Sequence, residues 1–181
     1  MTATGLAYSD HRFDGLFADR DLTAEECADR ASRAADLVDV SALDRTGGGE
    51  ALLLWREPHS EGWLNLWWQP RDTGYHDHDG SSVGVHVIEG RAWNEPLVFG
   101  TPRRVSEYGP GDSFAFSGHG IHRMDHEPGA ITIHVYWPPI RSIGHYEIED
   151  GELQRRPTPP DEPSGASPEL LASLDALGRD R

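Results

Sequence analysis

Cysteine is nearly absent from this chain of 181 residues, with Cys27 the only one. A lone thiol cannot close an internal disulfide, so a reducing, cytoplasmic setting is expected. Basic residues are also scarce. There are 16 Lys and Arg against 31 Asp and Glu, for a net charge of −15. Phosphate backbones and anionic lipid would be repelled, so no nucleic-acid or membrane partner is expected. No apolar run is long enough to span a bilayer. The opening "MTATGLAYSDHRFDGLF" lacks the basic-then-apolar order of a secretion signal. Internal repeats are missing too, which excludes solenoids and propellers. The acidic excess reads as a solubilising surface, and the expected state is a monomer or homodimer that handles a small molecule.

What remains is one domain's length of chain with a distinct texture in each part. "DLTAEECADRASRAADLV" predicts a helix, with Thr23 and Glu26 at capping-box spacing. Gly47 to Gly49 break the chain. Beyond them, "ALLLW", "WLNLWWQ", "VGVHVIEG", "RVSEYG", "DSFAF" and "ITIHVYW" are short runs rich in aromatic and β-branched residues. Turn signals separate them, and "GPGD" and Glu89-Gly90 read as hairpin turns. Many short strands at this spacing predict an all-β sandwich or barrel. After Gly151, "RRPTPPDEPSGASP" reads as a linker or extended arm. "SPELLASLDALG" then predicts a last helix, with Ser167 as its N-cap and Pro168 at its first position. The expected division is an N-terminal helical segment over 1–46, a barrel over 47–150 and an arm with a short helix over 151–181.

Histidine carries the chemical signal. In "YHDHDG", His76 and His78 stand two apart, so a strand would point both the same way. Two imidazoles on one strand face are half of a transition-metal site, although a merely polar face has the same pattern. His122 follows a turn in "YGPGDSFAFSGHGIHRM", and "ITIHVYW" puts Thr132, His134 and Tyr136 on one strand face. Asp77 and Asp79 alternate away and read as outer-face or turn residues. His59, His86, His119, His126 and His145 read as wall, loop or surface residues, with His119 and His126 in the loop around His122.

From Leu52 to Ile148 this arrangement resembles the cupin superfamily. His76 and His78 match the pair that ends the first cupin motif, and His122 matches the histidine of the second. Ser82 and Val83 stand where that family's metal-binding Glu is expected. Ser117 stands where Pro is common, and His126 where Asn is common. A site of three imidazoles without a carboxylate is similar to that of the thiol dioxygenase branch. There, Ser-x-His-x-Tyr precedes Pro-Pro; here the residues are Thr132, His134, Tyr136, Pro138 and Pro139.

The resemblance implies a cupin barrel holding Fe(II) on His76, His78 and His122. It implies that a small thiol and O2 react to a sulfinic acid, the second rung of the cysteine oxidation ladder. Tyr136 would donate to the reacting group and His134 would hold its phenol. Thr132, Val83, Trp63, Trp67, Tyr75 and Arg71 are the expected substrate-side residues. Val83 falls where some relatives carry a Cys crosslinked to the Tyr, so no crosslink is expected. Cysteine-specific members place an Arg near the position of Ala51. Arg56 lies five residues on, and strict alternation assigns it to the opposite face. The carboxylate grip is then missing, or comes from Arg71, Arg103, Arg104 or Arg141. Trp63, Trp67, Trp68, Tyr75 and Trp93 suggest an aromatic cage for a bulky or cationic thiol, ergothioneine-like or cysteamine-like, and a substrate other than plain cysteine is expected. The alternatives are another metal-dependent cupin enzyme, either a C–C cleaving dioxygenase or an isomerase, and a non-catalytic small-molecule-binding cupin. A zinc structural module would want a fourth closing ligand.

Overall fold

The computed structural model describes residues 11–43, 45, 50–69, 71–98, 102–149 and 152–158. The glycine break at 47–49 and the helix expected from Ser167 lie outside these. The chain enters through a 3-10 turn, His11–Leu16, and a helix, α1 (Ala24–Ala35). Thr23 Oγ1 accepts from Glu26 N at 3.2 Å, and Glu26 Oε2 accepts from Thr23 N at 2.8 Å. This is the reciprocal cap that the spacing predicted.

Twelve strands follow: β1 (Glu50–Arg56), β2 (Glu61–Trp67), β3 (Arg71–Asp72), β4 (His76–Asp77), β5 (Ser82–Glu89), β6 (Ala92–Pro96), β7 (Ser106–Tyr108), β8 (Ser113–Phe116), β9 (His122–His126), β10 (Ala130–Trp137), β11 (Ile143–Glu149) and β12 (Glu152–Thr158). One sheet runs β1-β2-β10-β5-β8. The other runs β12-β11-β4-β9-β6-β7, with β3 also paired to β9. The antiparallel pairs are nested. Innermost is β6·β7, then β5·β8, then β4·β9, then β2·β10, and successive pairs alternate between the sheets. A ribbon that doubles back between β6 and β7 and winds up in this way is the double-sheet jelly roll that cupins share. The expected all-β fold of cupin type is what the strand pairing shows.

Nesting corrects two turn expectations. "GPGD" and Glu89-Gly90 were expected to close hairpins. Instead each carries the chain from one sheet to the other, β7 to β8 and β5 to β6. Gly90 and Gly111 adopt φ of 71° and 90° in these corners, a region that L side chains resist. The extended arm expected after Gly151 begins as a strand, β12, paired along its length with β11.

The five-stranded sheet has two differently used faces. Leu64, Leu66, Ile131, Ile133 and Val135 point outward and are buried against Cys27, Ala31 and Ala34 of α1 and Phe13 and Leu16 before it. Each fully buried aliphatic side chain contributes about 1.5–3 kcal/mol. Gly84 lets the helix approach: a Cβ there would run into the backbone of Cys27 and Ala28. Val83, Val85, Val87, Phe114 and Met124 form a second core inside the barrel.

Candidate metal centre

His76 in β4 and His122 in β9 are cross-strand partners. His78 lies just past β4, where Asp79 and Gly80 turn the chain with φ of 53° and 94°. The three imidazoles are buried, and each offers one nitrogen within 4.8 Å of the other two. The Phe116 ring sits 3.7 Å from His122 and 5.5 Å from His78, walling the group from inside.

The outward nitrogens fix the tautomers. His76 Nδ1 lies 3.0 Å from Gly74 O, and a carbonyl can only accept, so Nδ1 carries the hydrogen. His122 Nδ1 lies 2.7 Å from Asn94 Oδ1, and the same assignment follows. That leaves the two Nε2 lone pairs available. His122 Nε2 is buried with no hydrogen-bond partner, a costly state for a polar atom. Burial lowers His76 to about 4, against the pull of Gly74 O. His78 and His122 are held well below the ordinary range by burial and then by neighbouring imidazoles. Three neutral, convergent nitrogens, one of them orphaned, are a donor set that fits a transition metal.

A second constellation borders the first. Trp67 Nε1 donates to Thr132 Oγ1 at 2.9 Å. Thr132 Oγ1 and His134 Nε2 are 3.0 Å apart, and His134 Nδ1 and the Tyr136 hydroxyl 3.3 Å. Indole only donates, so Thr132 Oγ1 accepts from Trp67. The hydroxyl's second lone pair and its own hydrogen allow two tautomers of His134: with the hydrogen on Nδ1 the Tyr136 oxygen accepts and the phenol hydrogen is free, and with it on Nε2 the phenol donates to Nδ1. The Tyr136 ring is 5.1 Å from that of His78. His134 is lowered to about 3, by burial first, and stays neutral. Burial, and next the charge of Glu61, push the Tyr136 phenol above its ordinary value, so it remains a donor.

Alternation sorts the other expected residues. Val83 is buried and cross-strand from Tyr136, and Trp63 is cross-strand from His134. Trp67 stacks on His126 with ring centroids 3.7 Å apart. His126 itself is a correction: the sequence puts it in the loop around His122, and it is a buried residue of β9. Tyr75 is a second correction. One residue before His76 it faces the other way, and its hydroxyl donates to Glu95 at 2.5 Å. The aromatic cage shrinks with it. Trp68 belongs to the core under α1, and Trp93 Nε1 donates to Glu107. Trp93, Glu95, Arg103 and Arg123 line a cavity of ≈ 440 Å³ on the outer side of β6, the side opposite Asn94 and the histidines. Arg103 is paired with Glu95 there, and Arg104 and Arg141 are exposed. The Arg71 side chain lies outside what the structure describes. His86 faces outward and bonds Ser113 Oγ at 2.8 Å. The His145 ring, cross-strand from His76, lies 6.2 Å from it.

Arg56 is the third correction. A bulge between Leu53 and Trp55 shifts the register of β1 against β2. One extra residue reverses the parity, so Ala51 and Arg56 share a face. Arg56, Glu61, Tyr136, Val83 and Phe116 are successive cross-strand partners in one row. Arg56 Nε donates to Glu61 Oε2 at 2.6 Å, and its guanidinium lies 5.6 Å from the Trp63 ring centroid. Glu61 is fully buried and also accepts from Ile140 N at 3.0 Å. Glu61 and Asn94 are the site residues that sequence reading missed. Neither stands in a motif, and only the strand register brings them in.

No protein-family model matches the chain, and no curated protein matches it in sequence. Among solved structures, KdgF from a Halomonas species is similar at 18% identity and a TM-score of 0.45, over 53% of this chain and 84% of that one. A cupin superfamily protein from Desulfitobacterium hafniense is similar at 13% identity and a TM-score of 0.43, over 57% and 84%. Oxalate decarboxylase from Bacillus subtilis is similar at 17% identity and a TM-score of 0.40, over 44% of this chain and 21% of that longer protein. Among the described residues no helix is long and apolar enough to cross a membrane.

Proposed function

We propose that the chain is a non-haem Fe(II) thiol dioxygenase, converting a small thiol and O2 to the sulfinic acid, R–SH + O2 → R–SO2H. The supporting observation is the pairing of two constellations. Three buried neutral imidazoles lack a carboxylate, and beside them Thr132, His134 and Tyr136 form a hydrogen-bond chain that ends at the Tyr136 phenol. His76, His78 and His122 would hold the iron. Bound there, iron supplies a Lewis acid that lowers the thiol's pKa and a redox centre for O2; three neutral ligands leave its charge free to favour a thiolate. Thr132 and His134 orient the Tyr136 phenol, and burial keeps it protonated. Its hydrogen would donate toward the reacting sulfur or oxygen. Val83 and Phe116 exclude water behind it.

The substrate's other end is read from the row. With Arg56 on the site face, the ground for excluding a carboxylate-bearing thiol is gone. Arg56, fixed by Glu61 and laid over Trp63, would meet an anionic end. Trp63 and Trp67 still offer indole faces to a bulky or cationic thiol, which is the second reading.

The test is O2 uptake by iron-loaded protein with cysteine, 3-mercaptopropionate, cysteamine and ergothioneine, and mass spectrometry of the products. One thiol gaining both oxygen atoms supports the dioxygenase, and a carboxylate-bearing one supports the Arg56 reading. No uptake with any thiol, in protein shown to hold iron, would sink it in favour of another metal-dependent cupin reaction.

A further inference from the structure

Asp77 stands between two of the three histidines and points away from them. Its carboxylate is unusually well held for a residue with no place in the metal group. Arg155, in β12, donates to it through both arms of its fork, Nε to Oδ2 at 2.7 Å and Nη2 to Oδ1 at 2.8 Å. The same Nη2 donates to Asp79 Oδ1 at 2.9 Å. The Tyr146 hydroxyl donates to Asp77 Oδ2 at 2.6 Å, and Asp79 N to Oδ1 at 2.8 Å.

The fold makes room for this contact. Gly144 in β11 lies between β4 and β12, cross-strand from Asp77 on one side and Pro157 on the other. A Cβ on Gly144 would occupy the place of the Arg155 guanidinium. Meanwhile β4 is only two residues long, and its register with β9 is the single pair His76 and His122. Strand pairing therefore defines His76, but His78 lies beyond the strand's end. Bidentate Arg–carboxylate pairs add geometric definition as well as energy.

We propose that Arg155 is a positioning residue of the metal centre, setting the relation of His76 to His78 by clamping Asp77 and Asp79 from the far strand of the sheet. This rests on the reading of the three histidines as a metal site. It makes β12 part of the centre's scaffold.

The experiment is a Co(II) titration of metal-free, full-length protein, reading both the dissociation constant and the visible ligand-field bands. The variants are Arg155→Ala, Arg155→Lys, Tyr146→Phe and, as control, Glu152→Ala at the start of the same strand, cross-strand from Glu149. Removing a group that orients ligands typically weakens metal binding about 10–100-fold. Arg155→Ala is expected to show a loss of that size with altered bands. Arg155→Lys should recover it in part, because ammonium keeps the charge but lacks the fork. Glu152→Ala should match wild type. Melting of the metal-free variants separates folding from positioning. If Arg155→Ala binds Co(II) with wild-type affinity and bands, whatever its melting temperature, the clamp is wrong and the metal site stands. If Arg155→Ala does not fold, Arg155→Lys decides by the same two readouts. Wild-type protein that binds no Co(II) overturns the metal-site reading, and the clamp with it.

Discussion

Asn94 is a quiet residue in the sequence and a consequential one in space. Its Oδ1 accepts from His122 Nδ1 and so leaves the Nε2 lone pair to converge with the other two imidazoles. Asn94→Ala should leave Nδ1–H orphaned, free the tautomer and weaken Co(II) or Fe(II) affinity about 10–100-fold. A titration of the metal-free variant checks this, and unchanged affinity would mean that His122 needs no orienting partner. Tyr136 makes the complementary case. Tyr136→Phe removes only a hydroxyl, which is not among the three converging nitrogens. Metal affinity should stay near wild type while kcat/KM for the active thiol falls roughly 10²-fold, the usual size for a lost proton donor. Equal losses of metal and activity would show that the phenol acts structurally.

At the scale of elements, α1 is the part most exposed to a single atom. Gly84 on β5 is where the helix crosses, and a methyl there meets helix backbone rather than a side chain that could swing aside. Gly84→Ala should therefore cost at least about 1–3 kcal/mol, as overpacking does, read by urea denaturation of the metal-free protein. A neutral result would mean that α1 rides loosely on the sheet. The strands also show what the sequence made legible. Runs such as "ITIHVYW" announced themselves, because β-branched and aromatic residues fit a half-buried pleat. "HRMDH" did not announce β9. Arg123 is buried there only because Asp72 and Glu95 pair with it, and no propensity scale anticipates a partner some fifty residues away. Nor did "ELQRRPT" announce β12, since Pro157 and its charged neighbours suit an edge strand as well as a linker. The three histidines were legible from their spacing together with the resemblance to the cupin motifs, since the His-x-His pair by itself also suits a merely polar strand face. Arg56 was misplaced because facing depends on parity, and one bulged residue reverses parity without leaving a trace in composition.

The whole molecule carries its histidines in a way that ties stability to acidity. His76 and His134 are lowered to about 4 and about 3, in both cases by burial first. In the unfolded chain each takes up a proton near 6.5, while the folded protein leaves them neutral. Between those values the unfolded state binds more protons, so stability is present above 6.5 and drains away as pH falls toward 4. Carboxylates with lowered values, such as Glu95, act with the same sign but only below their unfolded value of 4.5, so the upper part of the window belongs to the histidines. The metal-free protein should thus lose denaturation midpoint steadily from about pH 6.5 to about pH 4.5, with carboxylates adding to the loss only toward the lower end. A metal that binds the native state better than the unfolded chain should hold the midpoint up until protons displace it. The isoelectric point of ≈ 4.9 falls inside the window, so chemical denaturation of dilute protein is the suitable readout. A flat midpoint across that range in the metal-free protein would mean that the folded state protonates these imidazoles as readily as the unfolded chain does. The cluster would then be open to water, and three neutral nitrogens would not be waiting for a metal.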